Sequence, residues 1–272
     1  MSISIGVLGL DGTRSNTILL PTIFRSPYRP DVIHKVYINS LSHRFQRQGR
    51  YPAAGEIVSA ESRNTGLGMA RIARARGEGF PRAGQAAGVA GVRHGRLSHP
   101  PESWKNIYKK VNKKEKGLAL RSAIAATARK DLIVKRGHKI GNISEFPILV
   151  SEELESLAKT KDLKTTLINL GLKEDMDRAA ISRKGRSGTA RRRGRKGHVA
   201  HSALIVTSSG DAKVRHLSGS LPGVQVKALN QLNVLDLAPG SRQVRLTIFS
   251  TSAIEELRER YSGQDTVNQK NE

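Results

Sequence analysis

Guanidinium groups are the most concentrated chemistry in this sequence. Arg44, Arg47, Arg50, Arg63, Arg71, Arg74, Arg76, Arg82, Arg93 and Arg96 fall within 58 residues, His43 to Pro100, that hold no lysine and only Glu56, Glu61 and Glu78 as acids. A guanidinium is a planar fork that grips phosphate through two parallel N–H donors and stacks on flat rings, which an ammonium does not do. His94 and His99 add imidazoles to the same run. A second cluster, Arg186, Arg191, Arg192, Arg193, Arg195 and Lys196, lies in "RKGRSGTARRRGRKGH" at 183–198, which carries eight Lys and Arg and no acid. Arginine and lysine in such runs bind phosphate and supply neither nucleophile nor general base near neutral pH.

Bond-breaking arrangements are missing from the sequence. The eight histidines are scattered, and the one close pair, His198 and His201, lies beside the second cluster, where a phosphate contact suits it better than a metal. There is no HExxH, nucleophile elbow or Walker pattern. "GLGMAR" offers two glycines of a dinucleotide loop and follows no strand signal. With no cysteine, disulfides and thiolate metal sites are excluded. No catalytic residue, metal site or cofactor is expected.

The whole-chain balance points the same way. Across 272 residues, 47 Lys and Arg face 23 Asp and Glu, a net charge of +24 that repels itself unless a polyanion neutralises it. The 37% hydrophobic content allows a core, but not everywhere. No apolar run approaches the roughly 20 residues of a membrane helix, so no membrane span is expected. The opening "MSISIGVLGLDG" reads as an uncleaved protein of a reducing, cytoplasmic compartment. The sequon at Asn142 reads as a chance tripeptide.

The elements that must position the arginines divide by composition. Residues 1–43 show an alternating opening (Ile3, Ile5, Val7), a turn at Asp11-Gly12, the run "TILLPTIF", and an amphipathic helix after Pro30 with Val32, Ile33, Val36, Ile38 and Leu41 on its buried face. After Pro100-Pro101 the spacing of Trp104, Tyr108, Val111 and Leu118, continued by Leu120, Ile124, Ala128 and Leu132, predicts one long basic helix. Lys105, Lys109 and Lys113 lie on its other faces, available to a polyanion. "FPILVS", "SALIVTSS", "GVQVKAL" and "VRLTIFS" read as strands, "TTLINLGL" as a short helix, and "TSAIEELRERY" as a closing helix capped by Ser250, Thr251 or Ser252. This alternation predicts an α/β fold: one globular domain, residues 1–43 and 101–262, with a mostly parallel sheet flanked by helices. Residues 263–272 form a polar tail.

Residues 44–100 are expected to be a long, irregular Arg/Gly/Ala-rich loop inserted in that domain. Fixing a backbone residue costs about 1–2 kcal/mol, which the eight Ile, Leu, Val and Met of this stretch cannot offset by packing on themselves. Loops this long are functional or linkers, and a linker would be rich in Ser, Pro or Glu. Gly and Ala let a backbone approach a ribose-phosphate surface closely. Out and back at about 3.3 Å per residue, the stretch reaches at most about 95 Å. A solvated face would mix Lys with Glu. Duplex DNA readers would show a helix-turn-helix or zinc spacing, and an RNP-type sheet would need more than 4% aromatics. An arm threaded through folded RNA remains.

Six blocks carry a specific resemblance: "LPTIFRSPYRPDVIHKV", "SHRFQRQGRYPAAGEIVSAESRNTGLGMARIAR", "GQAAGVAGVRHGRLSHPP", "LRSAIAATA", "RGHKI" and "LNVLDLAPGS", in that order. Together they make the chain resemble the ribosomal protein L-four family of the large subunit, in its archaeal and eukaryotic form, over about residues 1–260. The resemblance implies an α/β domain on the outside of the large subunit and a loop that reaches through ribosomal RNA to the peptide exit tunnel. It places Ser62 to Arg71 near the loop tip and makes Asn64, Thr65, Gly66, Leu67, Gly68 and Met69 the tunnel-lining residues. The family commonly has "GTGRG" where this chain has "NTGLG", so Leu67 stands in place of a cation. The expected function is structural and non-catalytic, with large-subunit rRNA, neighbouring ribosomal proteins and the nascent peptide as partners and no membrane. The competing readings are an RNA-binding regulator outside the ribosome and an RNA-processing enzyme.

Overall fold

The structure, a computed structural model, describes residues 3–141 and 143–268, with side chains described as far as Tyr261. The sequon at Asn142 lies outside the described residues. The chain divides into two units, one made of residues 1–41 and 110–272 and the other of residues 42–109. Among the described residues no helix is long and apolar enough to cross a membrane.

In chain order the elements are β1 (Ser4–Leu8), β2 (Arg14–Leu19), α1 (Pro30–Ser42), β3 (Ala60–Ser62), β4 (Ala73–Ala75), α2 (Lys113–Ala126), α3 (Lys130–Arg136), β5 (Ile148–Val150), α4 (Glu153–Ser156), α5 (Thr160–Asn169) and α6 (Lys173–Ile181). They continue with β6 (Lys184–Gly185), α7 (Gly188–Arg192), β7 (Gly197–His198), β8 (Leu204–Thr207), α8 (Val214–Leu217), β9 (Gln225–Ala228), α9 (Val234–Leu237), β10 (Thr247–Ser250) and α10 (Thr251–Asn268).

The larger unit is built on a six-stranded sheet of order β2-β1-β5-β10-β8-β9. Only the β1–β2 pair is antiparallel. Strands β5, β8 and β10 are buried at every position, the pattern of parallel strands covered on both faces. Their alternation sorts the side chains into two cores. Leu149, Leu204, Val206 and Phe249 join α1, α2, α9 and α10 on one face. Ile148, Val150, Ile205 and Ile248 join α3, α4, α5 and α8 on the other. The mostly parallel α/β sheet flanked by helices is thus the expected one. Small residues let α2 lie close: Ser122, Ala123, Ile124, Ala125 and Ala126 are all buried. Ser250 caps α10 by accepting the Ala253 amide at 3.2 Å.

Three expectations need correction. Ile38 is exposed, because α1 packs mainly through Ile33 and Val36. The long helix does not begin after Pro101: residues 101–112 are not helical and Trp104 is 63% exposed. The amides a helix would need are used elsewhere, Lys105 N–H on the Glu102 carbonyl, Tyr108 N–H on Asn106 Oδ1 and Lys109 N–H on Ser42 Oγ. The periodic stretch also breaks into α2 and α3, where Thr127 Oγ1 turns back to the Ile124 carbonyl at 2.6 Å and Arg129 is extended. Backbone of the polar tail continues α10 as far as Asn268.

Candidate nucleic-acid interface

The smaller unit begins and ends in a neck. Lys109 N–H donates to Ser42 Oγ at 3.0 Å, and His43 Nε2 lies 3.0 Å from the Lys109 carbonyl. The His43 ring stacks on Tyr108 at 5.4 Å, and Arg47 lies over the same Tyr108 ring. Further out, Arg50 N–H meets the Pro101 carbonyl at 3.3 Å. The outgoing and returning chains are thus joined side by side without a regular ladder.

Beyond the neck the chain forms more structure than its composition announces. Strands β3 and β4 pair antiparallel, Ala60 opposite Ala75 and Ser62 opposite Ala73. Residues 85–87 add to β4 through Ala75 N–H to the Gln85 carbonyl and Ala87 N–H to the Ala73 carbonyl. Alanine at these positions lets backbones approach, but it provides little to bury. Within 44–100 Ala87 is the single buried residue, and neither apolar core includes any residue of this stretch.

The turn of this hairpin is the segment singled out as the tip. Ser62 Oγ donates to the Arg71 carbonyl at 2.7 Å and closes it. Asn64, Thr65, Gly66, Leu67, Gly68 and Met69 are all exposed, with Leu67 at 57%. Gly66 and Gly68 have φ of +94° and +65°, which side chains with a Cβ rarely adopt. Nothing lies within 4 Å of where a Cβ would stand at either glycine. Backbone conformation, not crowding, requires glycine there.

The ten arginines of 44–100 fall into distinct settings. Arg50 donates to the Ala54 carbonyl, Arg74 to the Gly84 and Ala70 carbonyls, and Arg82 to the Arg93 carbonyl. Arg76 pairs with Glu61. These shape the arm. Arg44, Arg63, Arg71, Arg93 and Arg96 are exposed and make no side-chain hydrogen bond or ion pair among the described residues. His94, His99, Lys105 and Lys109 are exposed as well. Residues 42–109 hold twelve Lys and Arg against four Glu, so this unit is a strongly positive surface.

Lys113 and the second cluster belong to the larger unit. The insert is a small β6–β7 ladder, Lys184 opposite His198, carrying α7 between its strands. Arg186, Arg191, Arg192, Arg193, Arg195 and Lys196 are all exposed. Its base is tied down where α6 ends: Ser182 Oγ accepts the Ala200 amide at 2.8 Å, and Arg178 donates to the His201 carbonyl at 2.8 Å. His198 is exposed, and no group of three or more metal-ligating side chains occurs among the described residues.

A buried polar knot to which the sequence analysis gave no role lies behind this base. Asp175, fully buried, accepts from Ser202 Oγ at 2.7 Å, Arg178 Nε at 3.0 Å and the Lys139 amide at 3.1 Å, with His138 Nδ1 at 3.1 Å. The Leu246 amide donates to His138 Nε2, which makes His138 neutral with its proton on Nδ1. Burial opposes the charge of Asp175, but the hydrogen bonds from His138, Arg178 and Ser202 outweigh it and hold the carboxyl well below its usual range. Nearby Arg245 is fully buried without a carboxylate, donating to the carbonyls of Ser202, Ala203 and Gly223 and to Gln225 Oε1. Burial pushes its pKa down to about 9, so it stays charged near neutrality. The one sequence signal here was "RGHKI", which contains His138.

Comparison with known proteins gives a consistent result. The profile of the ribosomal protein L4/L1 family matches residues 18–260. The large ribosomal subunit protein uL4 of Pyrobaculum aerophilum is 41% identical over 93% of this chain and 88% of its own length. The uL4 proteins of Methanococcus vannielii and Methanococcus aeolicus are 40% and 39% identical, over 95% and 94% of this chain and 100% and 98% of theirs. The matched range takes in four of the six strands of the α/β sheet and the whole arginine-bearing arm, and on it the chain belongs to the ribosomal protein L4/L1 family.

Proposed function

We propose that this chain is a structural, non-catalytic component of the large ribosomal subunit, in which residues 44–100 and the 183–198 insert bind ribosomal RNA and the Asn64–Met69 turn lines the peptide exit tunnel. Family membership and the uL4 relatives support the structural ribosomal role in the cytoplasmic ribosome. The observation that carries the RNA-binding part is a mismatch between packing and charge. In 44–100 one residue is buried, while five exposed arginines have no side-chain partner among the described residues. A polyanion that surrounds the arm supplies both the missing packing and the missing counter-charge.

The arrangement suits the job of a tunnel wall. Arg63 and Arg71 stand at either end of a turn that itself carries no charge. Cations at the ends hold RNA, and the small, uncharged turn offers a passing peptide neither a deep pocket nor an unpaired charge. Neighbouring ribosomal proteins are the further partners. Sedimentation tests the reading: the protein should co-migrate with large subunits and leave them only at high salt. Free or messenger-bound protein would favour a regulator, and turnover of RNA by the pure protein would favour an enzyme.

A further inference from the structure

The aromatic rings of this chain are partitioned in an unexpected way. The chain has eleven Phe, Trp and Tyr residues. The six in the larger unit, Phe24, Tyr28, Tyr37, Phe146, Phe249 and Tyr261, are buried or half-buried. The five in the smaller unit are all exposed: Phe45 at 55%, Tyr51 at 64%, Phe80 at 43%, Trp104 at 63% and Tyr108 at 38%. The low aromatic content that argued against base stacking therefore conceals a local concentration in the unit that lacks a core.

We propose that Trp104 is a stacking platform for an unpaired nucleobase. The proposal rests on the RNA-binding reading above and adds a base-contacting site to a surface otherwise made of phosphate contacts. Trp104 stands at the third position of a turn closed by Lys105 N–H on the Glu102 carbonyl at 3.2 Å, so the ring projects from a bend and not from a helix stripe. Lys105 and Lys109 follow it, both exposed. An exposed apolar ring of this size on a chain segment that also carries exposed ammonium groups matches a ligand with a flat face and an anionic backbone, which is a nucleotide. A neighbouring protein would instead offer an apolar pocket, and the two exposed lysines that follow the ring would hinder burial in it. A paired base is already stacked on both sides, so the ligand is one in a loop, bulge or single strand.

Trp104 is the sole tryptophan, so the intact protein reports on its own site through fluorescence. Three probes at low salt separate the outcomes: oligoadenylate, an abasic oligonucleotide of equal length and charge, and a fully paired RNA of equal length. Oligoadenylate should quench the tryptophan strongly, and the other two should bind with little quenching. W104F should keep the affinity for oligoadenylate, whereas W104L and W104A should lose about tenfold. Equal quenching by the abasic strand, or equal affinities for W104F and W104L, would overturn the stacking site while leaving RNA binding intact. Failure of all three probes to bind would overturn the RNA-binding reading and the stacking site together. A map of the large subunit with Trp104 inside a protein pocket would also overturn it.

Discussion

The guanidinium carbon of Arg47 lies 5.1 Å from the ring centroid of Tyr108, and through this contact the departing chain of the arm is joined to the returning one. The His43 ring, stacked nearly parallel to Tyr108 at 13°, adds a second planar group to the same junction. Such contacts contribute about 0.5–1 kcal/mol for the cation and about 0.5–1.5 kcal/mol for the ring pair. Tyr108→Ala should raise amide exchange at Lys109, whose N–H is held by Ser42, by about tenfold. The unfolding midpoint of the larger unit should not move. Unchanged exchange at Lys109 would mean that the stack does not hold the neck.

Beyond the neck, exchange should be fast in the free protein. One buried residue in 44–100 gives little protection to its backbone hydrogen bonds. Amide exchange across this range is expected to be near that of an unfolded chain in isolation and to slow strongly on ribosomal RNA. A protected arm without RNA would contradict the proposal that RNA supplies its packing.

Salt dependence reads the arginines one by one. If about 6 to 10 phosphates are neutralised, RNA affinity should fall by roughly 10³ to 10⁵ between 50 and 200 mM salt. Arg63→Gln and Arg71→Gln should each reduce the slope of log K against log salt by about 1. Leu67→Arg, which restores a cation at the tip, should raise it by about 1 if the tip reaches phosphate. Slopes unaffected by all three changes would remove the tip from the RNA interface.

Acid should weaken the larger unit through His138 and Asp175. Burial pushes His138 below its ordinary value, and Asp175 only partly opposes this. The unfolded chain then binds a proton that the folded one refuses, so stability is full above about pH 6.5 and falls as the pH drops below it. Asp175, held low in the folded state, contributes stability above its unfolded value near about pH 4, and this is lost as the pH falls further toward its folded value. The denaturant midpoint should therefore be lower at about pH 5 than at about pH 7.5, and His138→Gln should flatten that difference. An equal slope in the variant would place the pH sensitivity elsewhere.

Arg245 is expected to be harder to replace than any exposed arginine. Arg245→Met leaves the buried Ser202 carbonyl without its donor and takes one of two donors from the Ala203 and Gly223 carbonyls, which keep the Gln225 and Ser202 amides, and it should destabilise the unit by about 2–3 kcal/mol in equilibrium unfolding. Arg245→Lys should recover little, since one ammonium cannot reach four acceptors set around a planar fork. An R245M protein of wild-type stability would show that the site collapses around the apolar chain.

The elements that became sheet and helix were legible wherever packing and local pattern agreed. "ILV", "LIVT" and "TIFS" are apolar runs with hydroxyl residues only at their ends, and a strand covered on both faces needs little else. The basic arm stood out because composition alone shows that it cannot build a core. Trp104 and Tyr108 were misread for the opposite reason: their spacing fits a helix, but the amides of Tyr108, Lys105 and Lys109 are taken by Asn106, Glu102 and Ser42, partners that spacing does not reveal.

Composition and order thus determined by themselves that there would be an α/β layer, a coreless cationic arm and an uncharged stretch between Arg63 and Arg71, because burial, chain entropy and net charge are sums over residues. Only the tertiary structure decided that Asp175, His138, Ser202 and Arg178 meet behind the basic insert, that Arg245 is enclosed by carbonyls, and that β3 and β4 pair beneath the tip. Most of the contacts in the larger unit join residues far apart in the chain, as His138 and Ser202 are from Asp175, and the geometry that brings donor to acceptor exists only once the sheet has formed and the helices have packed upon it.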